Sequence, residues 1–163
     1  MGMPGKDLRF EPMKEQDGFA IIPDTWKVDF YASAGELSRF FIELKDNARL
    51  MGTKCPRCGS VYCWPRSWCH DCYEDCDWVE MSGKGRVQMF GTVFISLSEL
   101  QTEVPYCAGG VLLDGARYPL INYFRDIDFA EIHPGMPVRA EFLVPEKRLG
   151  SIRDFYFVPD QGA

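Results

Sequence analysis

Histidine is nearly absent from this chain. Its 163 residues hold two, His70 and His133. A Ser–His–Asp or Cys–His mechanism would have to run through His133, which stands before Pro134 at a predicted turn and reads as a surface residue. Gly-x-Gly-x-x-Gly, a phosphate loop and Gly-x-Ser-x-Gly are missing too, which removes the usual sequence supports for dinucleotide, nucleoside-triphosphate and serine-hydrolase chemistry. Cys107, in Pro105-Tyr106-Cys107-Ala108-Gly109-Gly110, lies on an apolar strand and reads as a packing residue. Asp126 and Asp128 flank Ile127 and read as turn caps. The sequence shows no active site.

Long apolar runs are also lacking, so no membrane span or membrane partner is expected. Met1 to Lys6 has no apolar leader core, and Lys6 breaks the myristoylation pattern after Gly2. A cytoplasmic location follows as an expectation, one where free thiols survive. No run of Lys and Arg exceeds two residues, and the net charge is −6. That balance argues against a nucleic-acid partner. Internal repeats and low-complexity segments are absent.

Seven cysteines are present. Four form Cys55-Pro56-Arg57-Cys58-Gly59 and Cys69-His70-Asp71-Cys72. A Cys-x-x-Cys turn aims both sulfurs at one point, and two such turns facing each other make the tetrahedral thiolate cage of a structural zinc site. Gly59 permits the tight backbone of a knuckle. A pair of disulfides would need an oxidising compartment. Rubredoxin-type iron normally has its knuckles further apart in sequence, and the short gap here implies a compact ribbon. Cys76 and His70 are close enough to substitute as ligands, whereas Cys63 and Cys107 read as small core residues. A redox or metal-sensing role for Cys63 and Cys76 is a weaker alternative.

Hydrophobic content of 46% with 14% aromatic supports a real core. Residues 1–32 read as an extended arm, rich in Pro, Gly and charge in its first 24 residues. Phe19, Ile21 and Ile22 lie within it, and the aromatic lead-in Trp26, Val28, Phe30 and Tyr31 comes after them. Residues 33–48 read as an amphipathic helix. Ser33 and Glu36 form its capping box, and Leu37, Phe40, Phe41, Leu44 and Ala48 form its apolar stripe. The ribbon spans 49–82. The barrel spans 83–163; from Gly85 onward the period changes to two, and strands are expected from Gly85 to Leu97, Tyr106–Leu113, Tyr118–Phe124, Val138–Val144 and Ile152–Val158. A helical turn at Ile127–Ile132 precedes the fourth. Gly91 marks the bend in the first. Five such strands match an OB-type barrel. Phe90, Phe94, Phe155 and Phe157 are expected on outer strand faces, covered either by the helix or by another chain.

Cys55, Cys58, Gly59, Pro65, Arg66, Cys69, Cys72, Trp78, Ser82, Gly83, Gly85 and Val87 together resemble the motif of the zinc-ribbon and OB-fold family of acyl-CoA-associated proteins, long catalogued as a domain of unknown function. Gly135-Met136-Pro137-Val138 resembles the family's approach to its fourth strand, so the likeness covers about residues 25–158. The chain departs from the pattern at Cys63, Trp64 and His70, where the family tends to have an aromatic residue and two prolines. These departures put the surface of Trp64, Arg66 and Trp68 in doubt as a family-standard contact. The resemblance implies a mainly β fold with an N-terminal α-helix, a rubredoxin-like zinc ribbon and a five-stranded OB-fold barrel. It also implies a non-catalytic subunit that binds a thiolase-fold enzyme subunit and helps hold or pass CoA thioesters. Arg57, Arg66, Lys84 and Arg86, near the ribbon–barrel junction, are the candidate contacts for CoA phosphates. The alternative from a different class is a single-stranded nucleic-acid binder, with Tyr106, Tyr118 and Tyr123 as a stacking platform.

Overall fold

The computed structural model describes residues 13–21, 31–95 and 103–162. The chain divides into two compact units, Met1–Ala32 and Ser33–Ala163. In the first, β1 (Lys14–Gln16) and β2 (Phe19–Ile21) pair antiparallel. Asp17 and Gly18 between them both have positive φ, the backbone of a type I′ hairpin turn. The sequence reading of a plain extended arm passed over this Asp-Gly signal. Ile22 and the lead-in from Trp26 to Phe30 lie outside the described residues.

The second unit begins with a 3₁₀ turn, Gly35–Leu37, that runs into α1 (Ser38–Ile42) and widens into a π turn over Glu43–Asn47. Along the expected apolar stripe, Phe40 and Leu44 are fully buried. The expected capping box does not form. Ser33 Oγ accepts from the N–H of Gly35 at 3.1 Å, two residues on, and no side chain caps the 3₁₀ turn. Gly35 at φ 55° pulls the chain into a local turn before a helical N-terminus can be built.

The ribbon's sheet has the order β4–β3–β5, with β3 at Met51–Lys54, β4 at Val61–Tyr62 and β5 at Asp77–Glu80. The remaining strands close a barrel in the order β10–β8–β7–β6–β9. They are β6 (Lys84–Val93), β7 (Tyr106–Leu113), β8 (Leu120–Phe124), β9 (Pro137–Phe142) and β10 (Phe155–Pro159). Val87, Val111, Leu113, Val138 and Phe157 fill the barrel, and they belong to one core with Phe40, Leu44, Met51 and Cys63 from the helix and ribbon. Helix, ribbon and barrel are therefore one packed body.

Three expectations for the barrel need correction. First, the irregularity in β6 falls between Val87 and Met89, while Gly91 pairs regularly with Ala108. The extra residue, Gln88, breaks the alternation there, so Val87 is buried while Met89 and Phe90 are both exposed. Second, Ile152–Asp154 is a 3₁₀ turn, not the start of the last strand. Ser151 caps it with Asp154 in a capping box. Third, the four phenylalanines do not share an outer face. Phe90 and Phe94 are 40% and 71% exposed, whereas Phe155 and Phe157 are 1% and 0% exposed inside the barrel, where their rings meet edge to face. Before β9, Glu131 donates to the carbonyl of Asp128 and the Asp128 side chain accepts from Ala130. That gives a single turn with Asp128 in the capping role. Residues 96 and 97, the expected end of the first strand, lie outside the described residues.

Candidate metal centre

Each pair of cysteines is held by the same backbone device. In the first knuckle the N–H of Gly59 donates to the carbonyl of Cys55 at 3.0 Å, and the N–H of Cys55 donates to Ser60 at 2.9 Å. In the second, Tyr73 donates to Cys69 at 2.8 Å and Cys69 donates to Glu74 at 2.9 Å. The residue after each second cysteine has left-handed backbone, with φ of 74° at Gly59 and 57° at Tyr73. Glycine takes that conformation without strain. At Tyr73 an L-residue adopts it, with its ring stacked 5.9 Å from Trp68.

The sulfurs of Cys55, Cys58, Cys69 and Cys72 all lie within 4.8 Å of one another. The separation between Cys58 Sγ and Cys69 Sγ is 3.7 Å. Ligands at roughly 2.3 Å from a tetrahedral zinc stand about 3.8 Å apart, so the four thiols have the spacing the ion requires. All seven cysteines are free thiols. Both substitute candidates stand outside this cluster. Cys76 Sγ faces the carbonyl of Glu74 at 4.0 Å, and His70 Nδ1 faces the Tyr62 hydroxyl at 3.2 Å.

Neighbouring groups ready part of the cage for ionisation. Ser60 hydrogen-bonds Cys58 at 3.3 Å and brings its thiol down to about 6. The Tyr62 hydroxyl, 3.3 Å from Cys69 Sγ, lowers that thiol as well. Cys72 is pushed up to about 12, first by its hydrogen bonding to Cys58 and then by burial. Four sulfurs so close cannot all ionise without a cation among them.

The remaining cysteines are of a different kind. Cys63 and Cys107 are fully buried, and burial pushes the Cys63 thiol up to about 12. That is the environment of an inert core thiol and the opposite of a redox-sensing one.

The four basic candidates are not brought to one point. Arg57 pairs with Glu74 at 3.7 Å. Arg66 lies over the Tyr62 ring at 5.7 Å and lines a cavity of about 250 Å³ with Glu36, Thr53 and Cys76. Lys84 pairs with Asp160 at 3.0 Å, and Arg86 donates to the carbonyl of Gly135. The three tyrosines are likewise split. Tyr106 and Tyr123 meet edge to face at 5.3 Å and line a barrel cavity of about 650 Å³ with Arg125 and Arg153. Tyr118 instead stacks on Tyr62 beside the second knuckle. Trp64 packs on Phe40 and Phe41 of the helix at 5.2 and 5.9 Å. His133 is exposed and faces the carbonyl of Pro134. Ser60 and Tyr62 escaped the sequence reading, although Ser60 directly succeeds the knuckle glycine. Among the described residues no helix is long and apolar enough to cross a membrane.

A closed five-stranded barrel preceded by two facing thiol knuckles defines a zinc-ribbon OB-fold protein. Two family models match it in tandem: the ChsH2 rubredoxin-like zinc ribbon domain over residues 43–78 and the ChsH2 C-terminal OB-fold domain over residues 78–143. The chain thus carries the ChsH2 zinc-ribbon and OB-fold domains side by side. A "DUF35 domain-containing scaffold protein" of Methanocaldococcus jannaschii is 28% identical over 107 residues, covering 64% of this chain and 74% of that protein. Among solved structures, the "Ltp2-ChsH2(DUF35) aldolase" matches at 26% identity with a TM-score of 0.65, over 80% of this chain and 98% of that one. A DUF35-family protein of unknown function from Sulfolobus solfataricus shares the fold, with a TM-score of 0.57 at 17% identity over 78% of this chain and 87% of that one.

Proposed function

We propose that this chain is a non-catalytic, zinc-binding accessory subunit of a thiolase-like acyl-CoA enzyme. It steadies the catalytic partner and helps bind or pass CoA thioesters. The observation that carries the reading is the convergence of four thiols in a ribbon fused to an OB barrel, in a chain with a relative named a scaffold and a solved neighbour named an aldolase. Cys55, Cys58, Cys69 and Cys72 would hold the ion. With four thiolates in its shell, zinc supplies a cross-link between the knuckles and leaves no open position for substrate. Arg57, Arg66, Lys84 and Arg86 are the proposed CoA or partner contacts. A cavity lined by Arg66 supports its inclusion among them. In its narrowest form, the reading makes the partner a 2-benzoylsuccinyl-CoA thiolase subunit of anaerobic toluene breakdown. The extra cysteines and the aromatic-rich arm would suit the heteromeric enzyme of an anaerobe.

Purification of the tagged chain from its own cells tests the reading. A stoichiometric thiolase-sized subunit and about one zinc per chain are expected. Recovery as a lone monomer would count against the accessory role, and turnover of acyl-CoA by the isolated chain would count against the non-catalytic one.

A further inference from the structure

The turn between β7 and β8 lies against the metal knuckles. Val61 bridges Ala116, and the N–H of Arg117 donates to the carbonyl of Val61 at 2.8 Å. From this anchored backbone two adjacent side chains reach toward the cage. Arg117 Nη1 donates to Ser60 Oγ at 3.3 Å, and Ser60 Oγ is in turn 3.3 Å from Cys58 Sγ. The Tyr118 hydroxyl stands 3.4 Å from His70 Nε2, His70 Nδ1 stands 3.2 Å from the Tyr62 hydroxyl, and that hydroxyl stands 3.3 Å from Cys69 Sγ.

A metal-bound thiolate can only accept hydrogen bonds, and this fixes the direction of both chains. The Ser60 proton points at Cys58, leaving the Ser60 oxygen to accept from Arg117. The Tyr62 proton points at Cys69, leaving its oxygen to accept from His70 Nδ1–H. His70 Nε2 faces both the Tyr118 hydroxyl at 3.4 Å and Asp71 Oδ1 at 3.2 Å. Asp71 is itself paired with Arg117. Each chain ends on one thiolate of one knuckle.

We propose that the β7–β8 turn is the outer shell of the metal centre. Arg117 acting through Ser60, and Tyr118 acting through His70 and Tyr62, are positioning residues that hold one thiolate of each knuckle toward the ion. Metal retention then depends on barrel residues that touch no ligand. The inference rests on the zinc reading above. Outer-shell hydrogen bonds of this kind orient ligands, and their loss commonly costs roughly 10- to 100-fold in metal affinity.

The test measures zinc transfer from the full chain to a chromophoric chelator, in the parent and in Ser60→Ala, Tyr62→Phe, Tyr118→Phe and selected pairs. Tyr62→Phe keeps the buried ring and loses only the hydroxyl, and should weaken zinc retention roughly tenfold or more. Tyr118→Phe should weaken it less. Combined with Tyr62→Phe it should add nothing, because both act on one chain, whereas combined with Ser60→Ala the effects should add. Parental retention in Tyr62→Phe, or full additivity of the Tyr62 and Tyr118 changes, would overturn the proposal. Should Tyr62→Phe fail to fold, Ser60→Ala and Tyr118→Phe decide alone, and parental retention in both overturns it. A parent chain isolated without zinc would refute the zinc reading itself, an outcome distinct from zinc-bound variants that behave as the parent does.

Discussion

Cys58 and Cys63 are five residues apart in sequence and chemically opposite. Ser60 lowers the first to about 6, and burial raises the second to about 12. In the folded chain at pH 8, Cys63 should resist alkylation by iodoacetamide and react only on denaturation, as intact-mass measurements would show. Asp160 gives the pH-dependent case. The Lys84 ammonium 3.0 Å away holds its carboxyl below the ordinary value of 3.8. A carboxyl lowered on folding stabilises the fold fully above its unfolded value, and that gain disappears as the pH falls through the folded one. Asp160→Asn should therefore be less stable than the parent at neutral pH, and the gap should close as the pH drops below 3.8. Urea midpoints measured from pH 6 to pH 2 would test the sign.

Among the elements, the loop before β10 turns on Asp154. It is buried, and its carboxylate accepts from the N–H groups of Leu149, Gly150 and Ser151. Asp154→Ala would orphan those donors, and a loss of about 3 kcal/mol is expected by chemical denaturation. The pattern Ser/Thr-x-x-Asp/Glu occurs both here and at Ser33–Glu36, yet only the Ser151–Asp154 pair closes its box. The motif is local but its success is not. Asp154 is held in the interior with backbone donors around it, while Glu36 is exposed and Gly35 has already turned the chain. In β7, a Cβ on Gly109 would come within 2.1 Å of the Met89 carbonyl oxygen and 2.7 Å of Phe90 Cα, whereas one on Gly91 meets nothing within 4 Å. Gly109→Ala should cost about 3 kcal/mol or block folding, and Gly91→Ala should leave the denaturation midpoint nearly unchanged.

Across the whole molecule, the ribbon, the helix and the barrel share one core, so metal loss should not stay local. Chelation of zinc, or Cys69→Ser, is expected to loosen the ribbon and release the proposed enzyme partner while much of the barrel's strand structure survives. Hydrogen exchange should then show protection lost first in β3–β5 and in the β7–β8 turn, and retained longest in β6 and β7. Simultaneous collapse of all strands would argue that the barrel cannot stand without the ion.

The doubled Cys-x-x-Cys, the helical stripe through Phe40 and Leu44 and the change to period two after Gly83 were legible in the sequence. Each is a spacing rule carried by neighbouring residues, and together they determined the ribbon, the helix and the barrel class. The tertiary structure alone decided the long-range features. The register slip at Val87–Met89 left Met89 and Phe90 both exposed on β6, the 3₁₀ turn at Ile152–Asp154 put Phe155 and Phe157 inside the barrel, and the β7–β8 turn delivered Arg117 and Tyr118 to knuckle residues more than forty positions earlier. Such pairings depend on how strands close around a common core, and no local spacing encodes that closure.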